Sequence, residues 1–197
     1  MTGACSAIGR AIQRELFEHH VSTVPWCRCS GVDLAHAIPQ IDCYRFVHVA
    51  EVGPEPTAKI LTELRNKFDS HFHFVLISSV HHLSHDDEYA RSKREQERLV
   101  KDFALRLGAR CNILRLGHIK ETRQWPVEDK ARTKEIPLGH FGDPKDVGRA
   151  AYYLLNSDWH CGAIVTGKQE RIVTGKPVSQ YDIVTGKRFP SHDGKIS

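Results

Sequence analysis

Two hydrophobic periods alternate along the chain. Ile8, Ile12, Leu16 and Phe17 recur at helical spacing behind a small-residue turn, which predicts a helix ending near His20. Residues 21–28 then read as a short strand, and residues 45–53 contain another. Ile60, Leu61, Leu64 and Phe68 predict a helix over 57–68, followed by a strand over 71–79 whose centre, Phe74-Val75-Leu76-Ile77, is apolar on both faces. Ala90, Leu99, Phe103 and Leu107 mark the apolar side of a helix over 89–107. A strand and turn over 111–119, a helix running to Leu155 and a late apolar stretch, Ile164-Val165, complete the series. Strands alternating with helices predict an α/β fold, three layers deep around a doubly wound, mainly parallel sheet.

Candidate chemistry sits on the third helix. Tyr89 and Lys93 are four residues apart and therefore share one helical face. A phenol has an ordinary pKa of about 10 and transfers protons poorly at neutral pH; a nearby ammonium favours its ionised form. Ser79, ten residues before the tyrosine, ends the strand over 71–79, which puts its hydroxyl at that strand's carboxyl end. At the N-terminus, Thr2-Gly3-Ala4-Cys5-Ser6-Ala7-Ile8-Gly9 joins a glycine turn to a helix start. Such a turn lets backbone N–H groups approach a pyrophosphate, or simply caps a helix.

Taken in order, Thr-Gly-x-x-x-Ala-Ile-Gly (2–9), Ile-Ser-Ser-Val (77–80) and Tyr-Ala-x-Ser-Lys (89–93) resemble the short-chain dehydrogenase/reductase family. The resemblance extends from Thr2 to about Gly175 and implies a Rossmann-type fold that binds NAD(P). It implies Ser79, Tyr89 and Lys93 as catalytic residues, with Tyr89 and Lys93 also meeting the cofactor. It further implies Gly3, Cys5, Ser6, Ala7, Ile8, Gly9, Ala50, Gly117 and Ile119 as cofactor contacts. Where family members that prefer NAD carry an acid, this chain has Arg28, then Ser30, with no acid before Asp33. A guanidinium there suits the 2′-phosphate of NADP(H) over NAD(H); the alternative is a solvated surface arginine. The implied activity is an NADP(H)-dependent oxidoreductase interconverting a carbonyl and an alcohol, possible substrates including 3-oxoacyl thioesters. The alternative is a non-catalytic relative that binds dinucleotide or a protein partner.

The motifs depart from the family in several places. His48 and Val49 stand where the family has two asparagines, and Glu51 stands for a glycine that normally lets the cofactor pass close to the backbone. Leu116 replaces a proline before Gly117, and Ala7 replaces the middle glycine of the first motif. By the resemblance an apolar first strand is expected to be missing, with Met1 alone before the turn, and the interval from Gly9 to Tyr89 is short. Ile-Val-Thr-Gly-Lys meanwhile occurs at 164–168, 172–176 and 183–187. The copy at 183–186 is expected to fill the vacant central position or an equivalent sheet edge, or else to belong to a duplicated tail. Deleting 178–197 would unfold the protein in the first case. Residues 1–177 are read as the domain and 178–197 as the tail.

Composition narrows the picture further. A chain of 197 residues with 40% hydrophobic and 26% charged residues suits one globular domain. The net charge of +4 is spread along the sequence without a basic cluster interleaved with aromatics, so no nucleic-acid partner is expected. No apolar run is long enough to span a bilayer, and a cytoplasmic location without membrane association is expected. The six cysteines lack paired zinc spacing and read as reduced, buried thiols, with no metal site. His81, His82, His85, Asp86, Asp87 and Glu88 admit a metal site or a solvated substrate loop. Residues 120–135 are polar and fall where the family carries a substrate lid. By resemblance, the helix over 89–107 builds a homodimer or homotetramer, and the other partner is a small carbonyl or alcohol.

Overall fold

The computed structural model describes residues 1–122, 133–134 and 139–167, and the backbone of 181–184. Its helices are α1 (Ala7–Glu18), α2 (Pro54–Phe68), α3 (Glu88–Leu107) and α4 (Pro144–Asn156). Its strands are β1 (Arg45–His48), β2 (His73–Ser79), β3 (Arg110–Leu116), β4 (Ile164–Gly167) and β5 (Tyr181–Val184). They form one sheet in chain order, parallel from β1 to β4 and antiparallel between β4 and β5.

Side-chain alternation along the strands creates two cores. Val47, Val75, Ile77 and Leu114 face one way, onto Ile12 and Leu16 of α1 and Val147, Ala151 and Leu154 of α4. Phe46, Phe74, Leu76 and Ile113 face the other way, onto Ile60, Leu61 and Leu64 of α2 and Val100 and Ala104 of α3. A sheet covered on both faces accounts for the apolar run in β2. α1 approaches α4 closely because Gly148 has no Cβ; one built there would lie 2.8 Å from the Ala11 carbonyl oxygen.

Local signals set the helix ends. Ser6 caps α1 by accepting from the Gly9 amide at 2.9 Å, and Asp87 caps α3 by accepting from the Ala90 amide at 2.7 Å. Pro54 and Pro144 open α2 and α4, and Gly108 ends α3 with φ 66°.

The N-terminal expectations need two corrections. Residues 21–28 do not form a strand; within them only Trp26 pairs, in a parallel bridge to Thr2. Thr2 also bridges His48 in parallel, so Met1 and Thr2 themselves hold the position between Trp26 and β1 that was expected to be vacant. Of the repeats, 164–167 is β4, and 183–184 falls in β5, beside β4 at the far edge of the sheet and antiparallel to it. An edge, not the centre, takes the late copy. The copy at 172–176 lies outside the described residues, as does most of the stretch over 120–135 read as a lid.

Candidate functional site

In a parallel sheet every strand presents its carboxyl end at one edge, and connections there converge. The glycine turn after Thr2, Ala50 and Glu51 after β1, Ser79 at the end of β2, and Gly117 after β3 all lie on this edge. The turn and the segment after β1 are tied directly. Thr2 Oγ accepts from the amides of Val49 at 3.0 Å and Ala50 at 3.1 Å.

With two amides donating to it, the Thr2 hydroxyl has its own proton free to give to His48 Nδ1, 2.9 Å away. His48 Nε2–H then donates to Thr57 Oγ1 at 3.1 Å, and the Thr57 hydroxyl donates to the Gly53 carbonyl at 3.0 Å. This chain of bonds fixes a neutral imidazole. Burial above all, then the charge of Lys93, pushes the His48 pKa down to about 3. The replacement of asparagine by His48 is therefore a structural solution to anchoring residues 49–53.

The glycine turn has its expected form. Gly3 takes φ 63°, and a Cβ there would lie 2.8 Å from the Ala50 amide nitrogen. A Cβ on Gly9 would lie 2.2 Å from the Gly3 carbonyl oxygen, so α1 starts hard against its own turn. Ser6 Oγ donates to the Gly3 carbonyl at 2.8 Å. Ala7 and Ile8 open α1, where amides have no intrahelical acceptor and favour an anion. These positions fit a pyrophosphate. Arg28 is exposed in a single 3-10 turn (Arg28–Ser30) just beyond Trp26, and its charge helps hold the Asp33 carboxyl below its usual range, after the Ala35 amide. Gly117 follows β3, whereas Ile119 is buried in the core on the α1 and α4 side and bridges Gly142.

Ser79, Tyr89 and Lys93 come together. Ser79 is near enough to the Tyr89 phenol to oppose part of the rise in its pKa, and Lys93 Nζ lies 5.7 Å from the Tyr89 ring centre. Lys93 is buried; its ammonium donates to the Ile77 carbonyl and to Gln96 Oε1, each at 3.3 Å. Gln96 in turn donates to the Gly53 carbonyl at 2.9 Å. The remaining partner of Lys93 is the Glu51 carboxylate, in direct ion-pair contact, which also accepts from Ser92 Oγ at 3.1 Å. This arrangement overturns the expected lowering of the tyrosine. Burial first, and the Glu51 charge second, push the Tyr89 phenol above its ordinary value, although its ring is 41% exposed. Glu51 is legible as an acid in a glycine's place; its pairing with Lys93 is not.

The histidine loop does not assemble a metal site among the described residues. His82 turns inward, 3.4 Å from Glu97, while His81 pairs with Asp87 at 2.6 Å and stacks on His85. The cysteines depart from expectation too. Cys111 is buried, but Cys5 and Cys29 are exposed and joined as a disulfide instead of reduced, with the Cys27 sulfur 2.7 Å from one and 2.6 Å from the other. No helix among the described residues is long and apolar enough to cross a membrane.

No protein-family model matches the chain. It is 34% identical over 67 residues to carbonyl reductase family member 4 of Xenopus tropicalis, covering 34% of this chain and 28% of that one. It is 36% identical over 94 residues to (3R)-3-hydroxyacyl-CoA dehydrogenase of Mus musculus, covering 44% and 35%. The chain thus spans about a third of the length of these curated relatives. Among solved structures, 3-ketoacyl-(acyl-carrier-protein) reductase from Brucella melitensis, complexed with NADH, superposes with TM-score 0.65 at 16% identity, covering 84% of this chain and 93% of that one. FolM alternative dihydrofolate reductase 1 from Brucella canis, complexed with NADP, gives TM-score 0.66 at 16% identity, covering 83% and 88%.

Proposed function

We propose that this chain is a short-chain dehydrogenase/reductase whose site interconverts a carbonyl and an alcohol with a nicotinamide dinucleotide, NADP(H) in preference to NAD(H). The observation that carries this reading is Ser79 beside the Tyr89 phenol, with the buried Lys93 one helical turn along. A bound dinucleotide would supply hydride to the substrate carbon, or accept it. Ser79 would hold the carbonyl oxygen, and the Tyr89 hydroxyl would give it a proton in reduction and recover one in oxidation. A phenol raised by burial and by Glu51 stays protonated at neutral pH, which favours its acid role. The amides opening α1 would face the pyrophosphate and Arg28 the 2′-phosphate. Ala50, on the segment tied to the turn, and Gly117 would line the path between the two ends.

Lys93 is the residue expected to reach the nicotinamide ribose, and Glu51 already holds it. Full engagement of the dinucleotide therefore requires Glu51 to swing away. The same contact supports a second reading, a non-catalytic relative that binds dinucleotide weakly and serves a regulatory or interaction role. A 3-oxoacyl thioester is the first substrate class to try, since two of the similar proteins are named for that chemistry. The small-molecule partner, a homodimer or homotetramer through α3 and a cytoplasmic setting belong to the same proposal.

Fluorescence titration with NADPH, and with NADH alongside, tests cofactor binding and preference. Turnover with Tyr89→Phe as control then separates enzyme from sensor. Saturable NADPH binding with turnover abolished in Tyr89→Phe is the expected result; binding without turnover would favour the second reading.

A further inference from the structure

Cys5, Cys27 and Cys29 are brought to one point by the fold. Thr2 pairs with Trp26, and the Trp26 amide donates to the Met1 carbonyl at 2.7 Å, which lays the first residues beside the segment ending at Cys27. Cys5 then leaves the glycine turn on the same side as the short turn that carries Cys27 and Cys29. The Cys27 sulfur lies 2.7 Å from that of Cys5 and 2.6 Å from that of Cys29, and all three sulfurs fall within 4.8 Å of one another.

We propose that Cys5, Cys27 and Cys29 form a trithiolate site for one soft d10 cation, Zn2+ or Cu+. The proposal goes beyond the oxidoreductase reading and does not depend on it. Backbone spacing separates this site from a simple cystine. The Cα atoms of Cys5 and Cys29 are 7.4 Å apart, whereas a disulfide usually spans about 4.4–6.8 Å and needs backbone movement beyond 7 Å. An ion between thiolates lengthens the bridge, with metal–sulfur bonds of about 2.3 Å for zinc. A third sulfur at the same point has no place in a cystine but completes a trigonal donor set. Soft thiolates select Cu+ and Zn2+ over the hard divalent ions.

The surroundings favour thiolate. Ser30 Oγ lies 3.5 Å from the Cys27 sulfur, within reach of a thiolate there. Cys5 directly precedes the cap of α1, at the positive end of that helix, and Arg10 donates to the Cys5 carbonyl at 2.5 Å. Cys5 and Cys29 are exposed, so an ion has access and a fourth position can face water. Binding is a proton-for-metal exchange. Once an added thiol or phosphine reductant has cleaved the Cys5–Cys29 bond to two thiols, each thiol releases its proton to solvent as a metal–sulfur bond forms, and that exchange itself moves no electron.

The test uses the full chain, reduced and kept anaerobic, without dinucleotide. Co2+, as an optical probe of the Zn2+ state, should bind one equivalent with a thiolate-to-cobalt charge-transfer band. In a separate arm, Cu+ should be drawn from bicinchoninate in the same stoichiometry. Cys5→Ser, Cys27→Ser and Cys29→Ser should each weaken binding at least about tenfold, while Cys43→Ser, outside the cluster, should bind like the parent. Metal should also protect these three thiols of the unmodified chain from alkylation, mapped by mass spectrometry, which keeps the test valid if a variant folds poorly. Absence of a thiolate–metal band together with failure to take Cu+ would overturn the proposal. So would metal uptake indifferent to all three substitutions.

Discussion

The Glu51 carboxylate is paired with the buried Lys93 ammonium, one turn along α3 from Tyr89. That pairing places a negative charge beside a phenol whose ionisation requires a second one. Removing it should act in one direction. In Glu51→Gln the Tyr89 phenol should ionise at lower pH than in the parent, read as tyrosinate absorbance and assigned by difference from Tyr89→Phe. An unchanged titration would mean that burial alone raises the phenol.

The start of α1 tolerates no side chain at its third residue. Gly9→Ala would put a Cβ 2.2 Å from the Gly3 carbonyl oxygen, and the obstacle is backbone that cannot rotate aside. A loss of about 2 kcal/mol, within the range for overpacked sites, is expected from the denaturant midpoint. An unshifted midpoint would show that the turn and helix separate freely.

His48 should make the fold acid-sensitive. Its folded pKa, about 3, lies below the ordinary 6.5, so the unfolded chain binds the extra proton as pH falls. The contribution is fully present above about pH 6.5 and should be lost at up to about 1.4 kcal/mol per pH unit between pH 6.5 and 3. Urea denaturation across that window checks it. His48→Asn should flatten the slope, even at a cost in stability at neutral pH.

The far edge of the sheet should be dispensable. Among the described residues β5 pairs only with β4, antiparallel, while the two described cores are built from β1 to β4 and the helices. Deleting residues 178–197 should leave the circular dichroism of the domain essentially unchanged and lower Tm by only a few degrees. Global unfolding on truncation would show that the late segment holds more than an edge.

How much of this was legible follows from the range of the interactions involved. α3 announced itself through its period, the Asp87 cap and Gly108, and the approach of Tyr89 to Lys93 follows from helical spacing alone. Ser79 was legible because β2 is long, apolar and ends beside it. Long-range pairings were not. Residues 21–28 have strand-like composition, yet the chain pairs only Trp26 there, and a ladder depends on what lies opposite. Ile-Val-Thr-Gly reads the same at the sheet centre and at its edge; Met1 and Thr2 already occupy the first, so β5 takes the second. Cys5 and Cys27 are 22 residues apart, and the pairing of Met1 and Thr2 with the segment ending at Trp26 brings them together. Glu51 carried a signal, an acid where glycine was expected, but its partner lies 42 residues on and emerges only from the fold.

In the proposed dinucleotide site Glu51 competes with the ligand for Lys93. Parallel NADPH titrations of the parent chain and Glu51→Gln test it most directly. Saturable binding to both is expected, tighter by about tenfold, or about 1.4 kcal/mol, in Glu51→Gln. No binding to either protein, or equal affinity for both, would contradict it.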